Sequence, residues 1–251
     1  MLKATYRIGQ IVPSSNVTME TEIPAMLAQR QLIRPERFTF HSSRMRMKTV
    51  RKEELASMDA ESDRCALELS DASVDVMGYA CLVAIMAMGV GYHRESQTRL
   101  HQRTIENGHP APVVTSAGAL VDGLAVLGAR RIVLVAPYMK PLTQTVVDYI
   151  QAEGISVIDW IALEIPNNLD VARHDTARLP GIAQALKYRD ADAIVVSACV
   201  QMPSLPIVPT LEALTGKPVI TAAIATTYAL LRALALDPVV PGGGALLSGA
   251  H

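Results

Sequence analysis

Aromatic residues are scarce in this chain of 251 residues, in which one Trp, two Phe and seven Tyr make up 4% of the sequence. Half of the residues are nevertheless hydrophobic, so Ala, Val, Leu and Ile must fill most of the core. A core of aliphatic side chains is typical of layered α/β proteins rather than of β-sandwiches. The composition therefore favours an α/β fold.

An excess of positive charge is also missing, because 23 Lys and Arg are balanced by 24 Asp and Glu. Binding to nucleic acid depends on a basic surface, so we expect no nucleic-acid partner. One stretch, residues 42–52, is locally basic but runs directly into Glu53 and Glu54. We expect this stretch to be a solvated loop and the start of a helix.

Long hydrophobic runs are lacking too, and the most apolar stretch, residues 79–92, is interrupted by Gly89 and Gly91. We therefore expect no membrane span and, because the first residues lack a secretory pattern, no export. The chain has three cysteines, and an odd number argues against a framework of disulfides. Free thiols predict a reducing, cytoplasmic setting.

The sequence contains none of the usual motifs for nucleotides or metals. No G-x-G-x-x-G follows a strand, and there is no P-loop. His93, His101, His109 and His174 are scattered without the close spacing of metal ligands. We therefore expect neither a cofactor nor a metal.

What the chain does contain is a regular alternation of strand-like and helix-like segments. The predicted strands are 7–12, 37–41, 74–81, 113–116, 131–136, 155–160, 193–198 and 218–221. The predicted helices are 17–30, 53–70, 96–107, 118–128, 141–153, 178–187, 208–214 and 223–235. This alternation predicts parallel sheets with helices on both faces. Residues 241–251, which begin with Pro and three Gly, are expected to form a flexible tail.

The second part of the chain repeats the first. Residues 7–13 match 131–137, and residues 112–117 match 218–223, with offsets of 124 and 106 residues. The repeat predicts two pseudo-symmetric, Rossmann-like (flavodoxin-like) α/β halves with parallel sheets and an active site in the cleft between them. We expect residues 1–116 with 217–251 to form one domain and residues 117–216 the other.

Cys81 and Cys199 occupy matching places, each after a short apolar run that ends a predicted strand. Open parallel sheets bind ligands beyond the carboxyl ends of their strands. A thiolate is a strong nucleophile, and a thiol can also act as an acid or base. A cysteine can equally be a buried packing residue, as we expect for Cys65 in the middle of a helix. The repeat favours a functional role for Cys81 and Cys199.

Polar side chains follow the first strand of each half. Pro13 to Asn16 come after the first strand, and Pro137 and Tyr138 after its counterpart. The Asn16 amide can donate to a carboxylate or cap the following helix, and the two roles are compatible. Tyr138 by itself could be structural. The pair Asn167 and Asn168, after the 155–160 strand and a short linker, is also typical of a turn.

Taken together, these motifs resemble the aspartate/glutamate racemase superfamily, in which two α/β domains each place one cysteine in a central cleft. Within it, the chain is most similar to the maleate cis-trans isomerases, over nearly its whole length. The resemblance rests on residues 12–16, 78–83, 136–138, 167–168 and 197–202. It implies catalytic roles for Cys81 and Cys199 and a substrate-binding set made of Pro13, Asn16, Val83, Tyr138, Asn168, Val200 and Met202.

The resemblance implies that maleate is converted to fumarate without a cofactor. The Cys81 thiolate would add to the double bond, and the succinyl-cysteine intermediate would rotate about C2–C3 before it eliminates the thiolate. Cys199 would supply and reclaim a proton at the adjacent carbon, or stabilise the enediolate, while Asn16, Tyr138 and Asn168 hold carboxylate oxygens. Thiolate addition calls for a lowered cysteine pKa, which helix N-termini can provide. The family also suggests a homodimer and a place in the degradation of N-heteroaromatic compounds.

Other functions remain open from the residues alone. Amino-acid racemases of the superfamily usually follow the first cysteine with Asn-Thr and the second with Thr. Here the corresponding positions are occupied by Leu82-Val83 and Val200-Gln201. The polar side chains that would bind a substrate ammonium group are therefore missing. Arylmalonate decarboxylases have only one of the two cysteines. A non-catalytic protein that holds a small anion would bind a dicarboxylate without turnover.

Overall fold

The structure is a computed structural model that describes residues 4–50 and 52–251. The strands, in chain order, are β1 (Thr5–Pro13), β2 (Arg37–Met45), β3 (Val76–Tyr79), β4 (Val113–Thr115), β5 (Arg131–Ala136), β6 (Ser156–Ala162), β7 (Ala193–Ser197) and β8 (Val219–Thr221). They form two parallel sheets, with the orders β2-β1-β3-β4 and β6-β5-β7-β8. Each strand of the first sheet has a counterpart at the same place in the second sheet, four strands later in the chain. This correspondence confirms the predicted fold class with two pseudo-symmetric α/β halves.

Helices cover both sheets. They are α1 (Met19–Arg30), α2 (Lys52–Ala60), α3 (Ser62–Asp71), α4 (Leu82–Ala87), α5 (Tyr92–Glu106), α6 (Ser116–Val126), α7 (Lys140–Ala152), α8 (Asn168–Ala172), α9 (Leu179–Gln184), α10 (Val208–Thr215) and α11 (Ala222–Ala233). Every residue of the inner strands β3 and β7 is buried, as expected for parallel strands that are covered on both faces. Within the described residues, no helix is both long enough and apolar enough to cross a bilayer.

The repeat extends to the ends of helices. Thr115 caps α6 by accepting a hydrogen bond from the Gly118 N–H at 3.1 Å, and Thr221 caps α11 by accepting one from the Ile224 N–H, also at 3.1 Å. Both threonines have extended backbone angles, which is the usual geometry of a helix N-cap. The same residue type therefore stops a strand and starts a helix in each half.

The helices α6 and α11 join the two halves. They pack against each other, and α11 also contacts β3 and β4 while α6 contacts β8. Gly123 makes the close approach possible, because a Cβ atom there would lie 2.9 Å from Cδ1 of Ile220. Strand β8, which the predicted boundary assigns to the first domain, pairs with β7 of the second sheet. The boundary itself, 1–116 with 217–251 against 117–216, stays a prediction.

Several predicted elements differ from the observed ones. Strand β2 continues to Met45, because its pairing with β1 runs through Pro13. The expectation of a solvated loop over 42–52 is therefore wrong in its first part, where Ser43, Met45 and Met47 are buried; Arg51 lies outside the described residues. The predicted helix 53–70 is divided into α2 and α3 by a turn at Glu61. The short helices α4 and α8 were not predicted.

The expectation of a flexible tail over 241–251 is also wrong. Leu246 and Leu247 are fully buried, and the Val240 N–H donates to the Leu247 carbonyl at 2.8 Å. A Glu212 carboxylate oxygen accepts from the Ala245 N–H at 2.9 Å. The run of three glycines suggested disorder, whereas positive φ angles at Gly242 and Gly244 instead turn the chain back onto the core.

The C-terminal segment should therefore contribute to stability. We expect Leu247→Ala to lower the free energy of unfolding by about 2 to 5 kcal/mol, because it removes a buried side chain and leaves a cavity. The measurement is urea denaturation followed by circular dichroism.

Leu214→Ala is the matched control, since Leu214 is 54% exposed. We expect its effect to stay below about 0.5 kcal/mol. Equal effects of the two substitutions would contradict the observed packing of the tail.

Candidate active site

One cavity lies where the carboxyl ends of both sheets meet. Its lining comes from the segments after β1, β2, β3, β5 and β7 and from α8: Pro13, Asn16, Met47, Val50, Cys81, Leu82, Val83, Tyr138, Asn168, Cys199, Val200 and Gln201. The inner strands β1 and β3 of one sheet correspond to β5 and β7 of the other. Ligands of open α/β sheets bind at this kind of position.

The cavity is small and partly open to solvent. Its empty volume, open solvent included, is about 300 Å³, at the lower end of the range for sites that bind small molecules.

Cys81 stands in an unusual backbone conformation between β3 and α4. Its φ and ψ angles are 96° and 71°, in the left-handed region that residues with a side chain rarely adopt. Such a conformation costs about 1 to 3 kcal/mol and needs the surrounding structure to hold it. The turn ends the strand abruptly and brings Cys81 to the cavity wall at the start of α4, where the Ala84 N–H donates to the Cys81 carbonyl at 3.1 Å.

The Cys81 thiol is held in its protonated form. Although the side chain faces the cavity, the dense protein around it raises the pKa of Cys81 to about 12. The Ala84 N–H acts in the opposite direction, while Cys199 and Asp59 add to the increase. The N-terminus of α4 thus acts in the expected direction, but loss of water outweighs one backbone donor, so the net shift of the pKa is upward.

Cys199 is surrounded differently. Burial also raises the pKa of the Cys199 thiol, while the neighbouring Tyr138 hydroxyl group and the backbone N–H groups of Gln201 and Met202 act in the opposite direction. The Gln201 N–H donates to the Cys199 sulfur at 3.4 Å. The single hydrogen of the Tyr138 hydroxyl group is donated to the Ala198 carbonyl at 3.0 Å. The two thiols thus occupy equivalent strand ends but have different hydrogen-bond environments.

Asn16 has the capping role considered for it, and its role in binding a carboxylate stays a prediction. Its Oδ1 atom accepts hydrogen bonds from the backbone N–H groups of Thr18 and Met19, at 3.1 and 3.0 Å, and so caps the start of α1. These two donors orient the side-chain amide, because only the oxygen can accept. The Nδ2 group is left at the cavity that Asn16 lines. The cap therefore positions a neutral hydrogen-bond donor.

The two asparagines after β6 have separate roles. Asn167 accepts from the Leu169 N–H at 2.9 Å and caps α8, which is the turn role expected of such a pair. Asn167 also forms an isolated antiparallel bridge with Thr49, so the segment after β2 meets the other half here. Asn168 lines the cavity, and its Nδ2 atom donates to the Ser15 hydroxyl group at 2.8 Å.

The structure brings nearly all of the predicted site residues to one cavity. The exception is Met202, which is fully buried behind the lining and whose carbonyl accepts from the Ser197 hydroxyl group. Sequence reasoning missed Met47 and Val50, since they lie in the stretch expected to be solvated. It also left out Leu82 and Gln201, although their places beside the cysteines were a usable signal. The roles of the lining residues stay predictions.

The cavity lining has no set of metal ligands. Across residues 4–50 and 52–251, no three or more His, Cys, Asp and Glu side chains are grouped in a way that could hold a metal ion. No charged side chain is among the described residues that line the cavity. The arrangement therefore offers two thiols, three side-chain amides and one phenol inside an apolar wall.

A fold of two like halves, each presenting one cysteine to a shared cavity, defines the class of two-domain α/β proteins to which the aspartate/glutamate racemases belong. The family model described as arylmalonate decarboxylase matches residues 8–247. A maleate isomerase of Pseudomonas putida is 72% identical over 98% of both chains. The chain therefore belongs to the arylmalonate decarboxylase family and, within it, to the maleate isomerases.

Solved structures agree with this placement. The maleate isomerase of Pseudomonas putida S16, in a cysteine-to-alanine variant with maleate, has a TM-score of 0.97 at 66% identity and 98% coverage of both chains. A cysteine-to-serine variant of the Nocardia farcinica maleate cis-trans isomerase, with a covalently bound succinylcysteine intermediate, has a TM-score of 0.94 at 47% identity. The match covers 98% of this chain and 100% of the Nocardia chain.

The raised pKa of Cys81 predicts an unusual alkylation profile. We expect the rate at which iodoacetamide modifies Cys81 to rise about tenfold per pH unit between about pH 8 and pH 11, because the thiolate fraction keeps growing below the pKa. The rate is measured by mass spectrometry of the peptide that contains Cys81.

The urea-unfolded chain is the control for this profile. Its cysteines should approach a constant rate above about pH 9, since an unperturbed thiol has a pKa near 8.5. If the folded protein also levelled off there, the thiol would not be shielded from water as described.

Proposed function

We propose that this chain converts maleate to fumarate through a covalent adduct on Cys81. The observation that carries the proposal is the meeting of Cys81 and Cys199 in one apolar cavity with neutral donors, in a member of the maleate isomerases. Rotation about a C=C bond requires that its double-bond character be removed. Addition of a thiolate does this without a cofactor.

The reaction begins when the Cys81 thiol passes its proton to solvent as maleate enters and its sulfur adds to C2; the proton returns from solvent after fumarate has left. The electron pair of the double bond moves toward the far carboxylate, and C3 takes a proton from the Cys199 thiol. The resulting succinyl-cysteine has a single C2–C3 bond that can rotate. Cys199 then recovers the proton from C3, the double bond forms again, and the Cys81 thiolate leaves from fumarate.

A raised pKa suits Cys81 as the nucleophile in this sequence. The thiolate of a weakly acidic thiol is intrinsically more nucleophilic than that of a strongly acidic one. Burial makes the Cys81 thiolate costly, so addition to the alkene is favoured because it transfers the negative charge to carboxylate oxygens. Cys199, with the Tyr138 hydroxyl group and two backbone N–H groups acting against the increase in its pKa, is better suited to hold a negative charge between the two proton transfers.

The neutral lining fits a substrate that must rotate. Asn16 and Asn168 offer amide groups to carboxylate oxygens, and no Arg or Lys is among the described lining residues. An ion pair at each carboxylate would oppose the rotation that one of them has to make. Val83, Val200 and the other apolar side chains keep water away from the adduct, which strengthens the remaining hydrogen bonds.

The succinylcysteine found in the Nocardia farcinica variant supports the covalent route. That protein has lost one cysteine and still carries the adduct, so one thiol is enough for addition. The same division of labour in this chain assigns addition to one cysteine and proton transfer to the other.

The homodimer and the cytoplasmic location are part of the proposal. Leu32 and Val90 are 75% and 65% exposed, which is more apolar surface than these side chains usually leave in water. All three cysteines are free thiols, which suits a reducing compartment.

Replacement of the two cysteines should impair different steps of the reaction. We expect Cys81→Ser to reduce the formation of fumarate by roughly 1000-fold or more, because a hydroxyl group at neutral pH does not add to the alkene. Cys199→Ser should retain addition, so that the intact protein gains the mass of one maleate. Fumarate is followed by proton NMR and the adduct by intact mass spectrometry.

Cys65→Ala is the matched control, because Cys65 is fully buried in α3 and does not line the cavity. It should keep turnover close to that of the unmodified chain. Full turnover by Cys81→Ser would rule out the covalent route.

A further inference from the structure

Gln201 lies at the junction of the two halves, and the reaction described above gives it no task. It lines the cavity two residues after Cys199, and its side chain is almost completely buried. We propose that Gln201 is a positioning residue that sets the places of the Asn16 and Asn168 amides relative to the Cys199 sulfur. This inference rests on the proposed isomerase function and adds a specificity-determining residue to it.

The side-chain amide of Gln201 bonds to the segment that carries Asn16. Its Oε1 atom accepts from the Val17 N–H at 2.9 Å and, at 3.4 Å, shares the Thr18 N–H with Oδ1 of Asn16. Its Nε2 atom donates to the Ser15 carbonyl at 2.9 Å. The residues on both sides of Asn16 are therefore attached to one amide from the other half.

The same amide also reaches the segment that carries Asn168. The Nε2 atom of Gln201 donates its second hydrogen to the Asn168 carbonyl at 2.9 Å. Asn168 in turn donates to the Ser15 hydroxyl group, so the three segments form a closed set of hydrogen bonds. A shift of either asparagine would break a bond to Gln201.

The main chain of Gln201 connects this set to the thiol. Its N–H group points to the Cys199 sulfur at 3.4 Å, and its carbonyl accepts from the Thr18 hydroxyl group at 2.7 Å. One residue therefore contacts the proposed proton-transfer group and both of the segments that present amides to the substrate.

The chemistry of the side chain explains why it acts through its neighbours. A primary amide has two hydrogens to donate and two lone pairs to accept with, and protein groups use all of them here. Gln201 thus has no hydrogen bond left for a substrate carboxylate. A glutamate would have the same shape but would direct carboxylate oxygen at the carbonyls of Ser15 and Asn168, and a methionine would have the length without any hydrogen bond.

Two charged side chains bond to the same segments and must be considered in a pH experiment. The Arg44 guanidinium group donates to the Asn16 carbonyl at 3.0 Å. A Glu22 carboxylate oxygen accepts from the N–H groups of Ser204 and Leu205, at 2.6 and 2.7 Å, and burial raises the pKa of Glu22. Profiles of the variants are therefore compared with that of the unmodified chain.

The test compares Gln201→Met with Gln201→Glu in steady-state kinetics with maleate. We expect Gln201→Met to raise KM roughly tenfold or more and to lower kcat, at all pH values, because misplaced donors weaken both binding and the transition state. Gln201→Glu should be similarly impaired at neutral pH. It should recover as the pH falls toward about 5, since a protonated, buried carboxyl group regains one donor.

Binding is measured apart from chemistry in a second arm. Calorimetric titration with maleate uses Cys81→Ser and the double variant that also contains Gln201→Met. We expect about tenfold weaker binding in the double variant, because the amides are no longer held in place. Equal binding would overturn the inference.

Glu22→Ala is the matched control, since it removes another connection between α1 and the loop after Cys199 without touching either asparagine. It should lower the thermal midpoint but leave KM within about twofold of the unmodified chain. An increase in KM equal to that of Gln201→Met, or no recovery of Gln201→Glu at low pH, would reduce Gln201 to a packing residue. Failure of the unmodified chain to convert maleate would instead refute the proposed function itself.

Discussion

Exclusion of water from the Cys81 thiol is the constraint on which the rest of the site depends. It raises the pKa of this group to about 12, more than the Ala84 N–H can offset. A thiol in this state is inert until a substrate is present, and its thiolate is then a strong nucleophile. The exclusion needs walls from both sheets, so neither half could provide it alone. The cavity between the two halves is thus also the source of the reactivity that we propose.

The duplicated fold supplies two equivalent positions, but the local turns make them different. Thr115 and Thr221 cap their helices in the same way, as two copies of one design. Cys81 instead stands in the left-handed region, where one backbone group acts against the increase in its pKa, whereas three neighbouring groups do so at Cys199. A symmetric pair of thiols would have no reason to divide addition and proton transfer. The departure from symmetry at this one place suits a reaction with two distinct steps.

The segment around Asn16 is held by both local and long-range hydrogen bonds. Its hydrogen bonds to the Thr18 and Met19 N–H groups lie within four residues of sequence, so the cap could be anticipated. The attachment of the same segment to Gln201 spans more than 180 residues and could not. Likewise Met47 and Val50 lie in a stretch whose charges suggested solvent, and they line the cavity because β2 continues to Met45.

The sequence by itself determined the alternation of strands and helices, the repeat, and the two strand ends at which the cysteines stand, because these follow from apolar runs and short-range turn chemistry. Only the tertiary structure decided the packing of the C-terminal segment, the fourfold bonding of Gln201 and the direction of the Cys81 pKa. Each of these depends on contacts between groups from distant parts of the chain, which bury one another and exclude water. Burial is a property of the assembled halves, and no local pattern of residues contains it.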